Sequence, residues 1–547
     1  MKKTLSTVLA LLMLFSMAAV SMAEGQDSFV NAPGTFPIVN EDYTLTIFIA
    51  SDPDVISYKE NHLTRYLEQL TGINLEFVTY SKQDAPTKLD LLVNSGSELP
   101  DIILAEGIDR QRIANYADAG VLVPLDAYFD KETGLAKSYW DRCEKLGYDG
   151  EILLNQVRNV DGHIYTGIKY NVNYSDVYPV RAWINQEWLD KLGLSMPKTA
   201  DELYDVLVAF RDGDPNGNGV KDEIPIMGAE GQWYGNPLDY LQNMFIYFDG
   251  FYNSFLPLNE TGGKLDVCYD KPAYQQALIY FNKLVSEGLI STTSFTDDGA
   301  QLKALAKTGE DIGIVIRGGS SACAATEKYV PLENMTGPDG YRATTCVAPY
   351  ADPVGMITTY CEHPEAAFLF LEVFNADEHN YLVSRYGEEG VDWDYAPEGT
   401  PSLYFEKGYD ANVTNYTNVW SIQSDKIWRT DNVNYLWGIH DMMEAYDGNE
   451  FDSERLNARN VMINEGYAPG WNDVVSFILY NEEENDTWAD TRTTINTYVA
   501  EAKVLFAIGD MDPVADWDSY IETLNSYDYK GMLAADQIAF DRMFGNE

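Results

Sequence analysis

The chain has 547 residues, 86 of them acidic and 37 basic, for a formal net charge of −49. A field of that sign repels phosphate backbones and anionic lipid surfaces, so it excludes nucleic-acid binding and disfavours an anionic ligand unless a local basic pocket overrides it. With 13% aromatic residues this is not a disordered acidic chain, and its length exceeds what one hydrophobic core supports, so at least two domains are expected.

Lys2 and Lys3 precede an apolar run from Leu5 to Val20 that ends in Ser21-Met22-Ala23. This reads as a secretory signal peptide cut before Glu24, too short in its apolar core for a comfortable membrane span. The first cysteine is Cys143, so no lipid anchor is expected behind the signal. The mature protein is expected outside the cytoplasm, free in a periplasm or at the cell surface. The five cysteines (Cys143, Cys268, Cys323, Cys346, Cys361) are too scattered for a disulfide framework, and no CxxC or Cys/His cluster suggests zinc.

Tyr43 to Ala50 alternates around Leu45, Ile47 and Ile49 and reads as a strand. A helix follows over His62 to Leu70, with Leu63, Tyr66, Leu67 and Leu70 on one face and Gly72 placed to end it. Asn74–Tyr80 is a second strand, Ala85–Asn94 a second helix, and Pro100–Leu104 a short buried strand. Such alternation predicts a parallel sheet covered by helices, with ligands bound beyond the carboxyl ends of the strands. Thr199-Ala200-Asp201-Glu202 is a capping box leading into Leu203, Val206, Leu207 and Phe210 on one helical face. Two more helices are expected over Pro272–Glu287, closed by Gly288, and over Pro364–Asn375.

Directly after the capped helix, oxygen donors recur at Asp214, Asn216, Asn218 and Asp222, the first, third, fifth and ninth positions of a loop. A glycine, Gly219, stands at the sixth position, and Val220 at the seventh is free to offer its carbonyl. Hard cations want this density of oxygens, and the spacing is that of a calcium loop. The twelfth position is Pro225, which excludes an ordinary EF-hand and leaves Glu223 as the closing carboxylate. The alternative is a metal-free turn, since Asp, Asn, Pro and Gly are what turns prefer.

Several stretches resemble a known family, the extracellular solute-binding proteins of carbohydrate ABC transporters, in the branch of the LplA lipoproteins and alginate-oligosaccharide-binding proteins. They are Trp188 to Gly193, the Thr199 capping box, Asp214 through Pro225, Tyr116 to Leu125, Glu287 to Ile290, Pro364 to Ala367, and Tyr386 to Trp393. The resemblance implies an α/β fold of the type II periplasmic-binding-protein kind: two lobes of discontinuous segments, joined by a hinge, closing on a ligand in the cleft between them. The segments expected are 24–186 and 351–410 for the first lobe, and 187–350 and 411–547 for the second. It also implies structural calcium on Asp214, Asn216, Asn218, Asp222 and Glu223, with the Val220 carbonyl between. The partners implied are an oligosaccharide and the membrane permease and ATPase of an importer, the chain itself being a monomer.

A sugar offers apolar C–H faces ringed by hydroxyls, so its site combines aromatic platforms with planar polar groups. Trp233, Tyr234, Trp393, Trp420 and Trp428 lie in loop-like polar surroundings, and Arg317 follows an apolar strand where it could donate several hydrogen bonds. The alternative for each aromatic is an ordinary partly buried core residue, and the Trp393 segment reads also as a tight structural turn. Trp188, on a helix, is expected in the core. The chain has no GxSxG elbow, no HExxH and no phosphate loop, and its five histidines are dispersed. No enzymatic activity is expected. A peptide- or polyamine-binding protein of the same fold is the nearer alternative, ahead of a secreted carbohydrate-active enzyme or an adhesin.

Overall fold

The computed structural model describes residues 29–543 apart from 105–107, 109, 231, 251–252, 298, 321–322, 324, 421 and 431–432. The expected signal peptide lies outside the described residues. No described helix is long and apolar enough to cross a membrane.

The β-α-β-α-β opening forms as expected. It consists of β1 (Tyr43–Ser51), the helix His62–Thr71, β2 (Ile73–Ser81), the helix Ala85–Ser95 and β3 (Ile102–Leu104). Asn61 caps the first helix by accepting from the Leu63 N–H, and Gly72 ends it in the left-handed region at φ 74°. A β carbon at position 72 would also press on Pro37 Cβ at 3.1 Å. Strand β1 buries both faces, with Leu45, Ile47 and Ile49 in one core and Phe48 and Ala50 in another. That is why its sequence runs nearly continuously apolar at its end rather than alternating throughout.

With β4 (Thr166–Tyr170), β9 (Ala351–Ile357) and β12 (Tyr435–Leu436), these strands make a six-stranded sheet in the order β12-β4-β9-β3-β1-β2. All its pairings are parallel except those of β9, which runs antiparallel between β3 and β4. A four-stranded sheet in the order β6-β7-β5-β8 is built from β5 (Ala182–Asn185), β6 (Ile224–Met227), β7 (Ile312–Ile316) and β8 (Tyr329–Leu332). Here β6 and β7 are parallel and β5 is antiparallel to both β7 and β8. The helix Ala200–Asp212 packs on this sheet so closely that a β carbon at Gly313 of β7 would lie 2.3 Å from Phe210 Cδ2.

The chain passes between the sheets three times, after β4, before β9 and after β12. The segments of the two lobes therefore differ from those expected. The second lobe begins with β5, before residue 187, and the first lobe extends past 410. Strand β10 (Trp393–Tyr395) pairs with β11 (Val413–Asn415), and β12 pairs with β4. Only from the helix Ser453–Asn464 onward does the chain pack on the second sheet, through contacts such as Asn460 Nδ2 to the Ala182 carbonyl at 2.9 Å. Where the passages meet, Tyr174, Val177, Cys346, Tyr404, Met443 and Val461 form a small apolar cluster of their own. All five cysteines are buried and free.

Candidate functional site

Topology fixes where a ligand site can be. The carboxyl ends of β4 and β12 and the start of β9 share one edge of the first sheet, and all three passages leave or enter there. On the second sheet the start of β5 and the ends of β6 and β7 share the edge facing those passages. The loops after β6 and β7 therefore leave the second sheet on the edge from which the chain crosses to the first.

The loop after β6 carries Trp233 and Tyr234. It closes on itself through Ala229 N–H to Gly235 O at 2.8 Å and Gly235 N–H to Gln232 O at 3.0 Å, with Tyr234 at φ 47°. A closed loop of this kind pushes its central side chain outward, and Trp233 is 45% exposed. Tyr234 packs edge-on against Trp233 at 5.6 Å and donates its hydroxyl to the Gly250 carbonyl at 3.0 Å. Its hydroxyl is thus already engaged, and its ring buttresses Trp233. Arg317, directly after β7, gives its carbonyl to Trp183 Nε1. Its Nη1 is buried without a partner, and burial lowers the guanidinium's pKa.

On the first lobe, Trp420 is half-buried. Its N–H is donated to the Arg385 carbonyl at 2.8 Å, and the Arg385 guanidinium lies 4.4 Å from the ring centroid. It borders a water-sized cavity of about 10 Å³ with Lys169, Arg385, Thr430, Val433 and Trp437, at the end of β4. The Trp437 indole N–H is buried there with no partner.

Trp393 and Trp428 are corrected. They are 0% and 1% exposed, and both belong to the core of the first lobe. Trp393 donates to the Gly387 carbonyl at 3.0 Å and Trp428 to Thr64 Oγ1 at 2.8 Å. Neither leaves a face for a sugar. The polar residues around them are the capping groups of tight turns, such as Asp392 accepting from the Glu388 N–H at 3.0 Å, and not the rim of a cleft. Trp188 is in the second lobe's core at 0% exposure, as expected.

The loop Asp214–Glu223 links the helix Ala200–Asp212 to β6. The helix starts with Thr199 Oγ1 accepting from Glu202 N–H at 3.2 Å, while Glu202 reaches back to the Lys198 N–H at 2.7 Å, one residue before the cap. In the loop, Asp214 accepts from the Gly219 N–H, Asn216 from the Asn218 N–H and Asn218 from the Val220 N–H. Asp222 accepts from the amides of Asn216 and Asn218, at 3.4 and 3.1 Å. Glu223 differs. It is 8% exposed, and both its carboxylate oxygens are buried with no hydrogen-bond partner. Burial pushes its pKa up, helped by the nearby Asp214 and Asp222 and opposed by the backbone N–H groups of Glu223 and Asp222. Among the described residues no group of three or more His, Cys, Asp or Glu converges as a metal cluster. The loop's donors are of mixed kind, two of them asparagines, and the orphaned carboxylate in their midst fits a hard cation.

Sequence reasoning passed over Arg181, which is 1% exposed beside Trp233. Its signal was a lone charge in the otherwise apolar run Val177 to Ile184. It also passed over Arg110 and Phe477, which meet across the passages with the guanidinium 5.7 Å from the ring centroid. A concavity of about 1220 Å³ lies elsewhere, on the first lobe around Asp130–Gly134 and Lys137–Glu151. Its aromatics are Trp140, which has the Lys131 ammonium 5.2 Å from its ring centroid, and Tyr148, and none of its described lining residues belongs to the passages between the sheets.

The family model for bacterial extracellular solute-binding proteins matches residues 52–381, more than half the chain. This chain belongs to that family. The bacterial extracellular solute-binding proteins capture solutes and are not enzymes. Among curated relatives, the fructooligosaccharide ABC transporter substrate-binding protein FusA of Streptococcus pneumoniae is 27% identical over 530 residues, covering 94% of this chain and 93% of FusA. The structure of FusA in complex with kestose superposes with a TM-score of 0.73 at 22% identity, covering 92% of this chain and 100% of that one. A FusA EF-hand mutant in complex with fructo-nystose matches with the same figures. These superpositions show that this solute-binding protein has the two-lobed fold of type II periplasmic binding proteins.

Proposed function

We propose that this protein is the exported oligosaccharide receptor of a carbohydrate ABC importer. It captures its ligand between the lobes and presents the closed form to a membrane permease. The observation that carries the reading is Trp233, an indole held out from a closed loop on the edge facing the other lobe. Tyr234 supports it, and Arg317, with its unpartnered Nη1 on the turn after β7, is the candidate donor. Trp420 on the first lobe is the second stacking candidate, since one sugar touched by both lobes selects the closed state. The relationship to FusA, whose ligands include kestose, favours a neutral oligosaccharide, as does the net charge of −49.

The second part of the proposal is a structural calcium ion held by Asp214, Asn216, Asn218, Asp222, Glu223 and the Val220 carbonyl. Its support is the pair of unpartnered Glu223 oxygens, and the EF-hand that the FusA mutant is named for lends weight. Both parts are tested by thermal unfolding of the mature protein with kestose, acidic oligosaccharides, peptides and polyamines, each with calcium and with chelator. A ligand that binds only the folded state at 100 times its Kd adds about 2.7 kcal/mol. A rise with a neutral oligosaccharide, with the sugar recovered intact, is expected. A rise only with peptide or amine would overturn the carbohydrate reading, and an unfolding midpoint indifferent to chelator would return the loop to a metal-free turn.

A further inference from the structure

We propose that Arg181 and Gly318 are positioning residues for the ligand platform, which hold the Trp233 indole with one side against the protein and the other open to ligand. The inference rests on the reading of Trp233 as a ligand contact. It adds what makes that contact rigid, and it comes from three segments meeting at one ring.

The first segment is the passage between β4 and β5. It contributes Arg181, whose guanidinium lies 5.7 Å from the Trp233 ring centroid. All its described hydrogen bonds go to backbone carbonyls: Nε to Tyr178 at 2.9 Å, Nη1 to Gly318 and Nη2 to Ser175. Burial of this charge lowers its pKa. Placing a guanidinium out of water with no carboxylate among the described residues within pairing distance is costly, and a packed Met would fill the same space more cheaply. What a Met cannot do is bind carbonyls of two segments at once and offer a cation to an indole.

The second segment is the turn after β7. Gly318 donates its N–H to the Trp233 carbonyl at 2.9 Å and gives its own carbonyl to Arg181. A β carbon at 318 would sit 2.3, 2.8 and 2.9 Å from Cε3, Cζ3 and Cδ2 of Trp233. The six-membered ring therefore rests on bare backbone, which only glycine allows. The third segment is the β6 loop itself, closed by its own backbone bonds. Arg181 thus ties the platform to Ser175 and Tyr178 of the inter-lobe passage, so that stretch moves with the second lobe. An indole fixed in this way loses little freedom when ligand arrives, which is how preorganisation raises affinity.

The test uses the whole mature chain labelled with 5-fluorotryptophan, in which the resonance missing from Trp233→Phe identifies the platform. A single sharp Trp233 signal is expected in the parent, and a shifted or broadened one in both Arg181→Met and Gly318→Ala. The glycine variant perturbs the ring without touching a charge, so it stands in should the arginine variant fold poorly. With kestose as titrant, each variant is expected to weaken binding about tenfold in the parent background and less than about twofold on top of Trp233→Ala. An unchanged Trp233 signal in both variants would overturn the inference. If Trp233→Ala leaves the affinity for sugars unchanged while the signal still responds, the ligand reading of Trp233 fails and the positioning stands.

Discussion

Two tryptophans show how the same residue type takes opposite roles according to what its backbone does. Trp233 sits on a closed loop and is 45% exposed, whereas Trp393 is 0% exposed with its N–H on the Gly387 carbonyl. Trp233→Ala is expected to weaken sugar binding by about 2 kcal/mol, roughly thirtyfold in Kd, with little change in unfolding midpoint. Trp393→Phe is expected to do the reverse, lowering stability by about 2 kcal/mol through a lost hydrogen bond and a void while calorimetric affinity holds. Glu372 is a different case, buried in the first lobe at 3% exposure with one oxygen unpartnered. Burial pushes its pKa up to about 7 from 4.5. Because the folded value is raised, the folded state holds a proton the unfolded chain has already lost, so stability falls as pH climbs from 4.5 to 7. Glu372→Gln should remove that slope in chemical denaturation and leave the variant more stable at pH 8, by about 3 kcal/mol at roughly 1.4 kcal/mol per pH unit.

The helix Ala200–Asp212 and the loop after it act as one element. The cap at Thr199 orders the first turn, Phe210 lies on Gly313 of β7, and the loop Asp214–Glu223 returns the chain to β6 beside it. Thr199→Ala should cost about 1 kcal/mol in denaturant unfolding, the ordinary worth of such a cap. Glu223→Ala is expected to abolish the calcium-dependent part of the unfolding midpoint and leave the chelated protein little changed. Equal loss with and without calcium would mean that the carboxylate serves the fold and not a cation. Legibility at this scale followed local physics. Helix starts, glycine stops and the calcium-like spacing depend on neighbours a few residues apart, and they were readable at Thr199, Gly72 and Asp214. Strand β12 was not, because Tyr435–Leu436 is too short to show a period and is a strand only by virtue of pairing with β4.

At the scale of the molecule, three passages join the lobes, and charged pairs hold the last of them. Lys407 bonds Glu465, and Arg455 bonds Glu406 and the Leu403 carbonyl. Ligand that bridges the lobes is expected to reduce the radius of gyration in X-ray scattering, and Trp233→Ala should need correspondingly more sugar for the same change. The sequence alone determined the α/β order and the calcium-like loop, set by periodicity and spacing along short stretches, the division into more than one unit, set by chain length, and a resemblance to the family, carried by stretches between Tyr116 and Trp393. Only the tertiary structure decided that Trp233 is presented while Trp393 and Trp428 are core, that the first lobe runs on past β11 to β12, and that Arg181 lies beside the Trp233 indole. Those outcomes depend on which surfaces far apart in the chain exclude water from one another, and no local pattern encodes that.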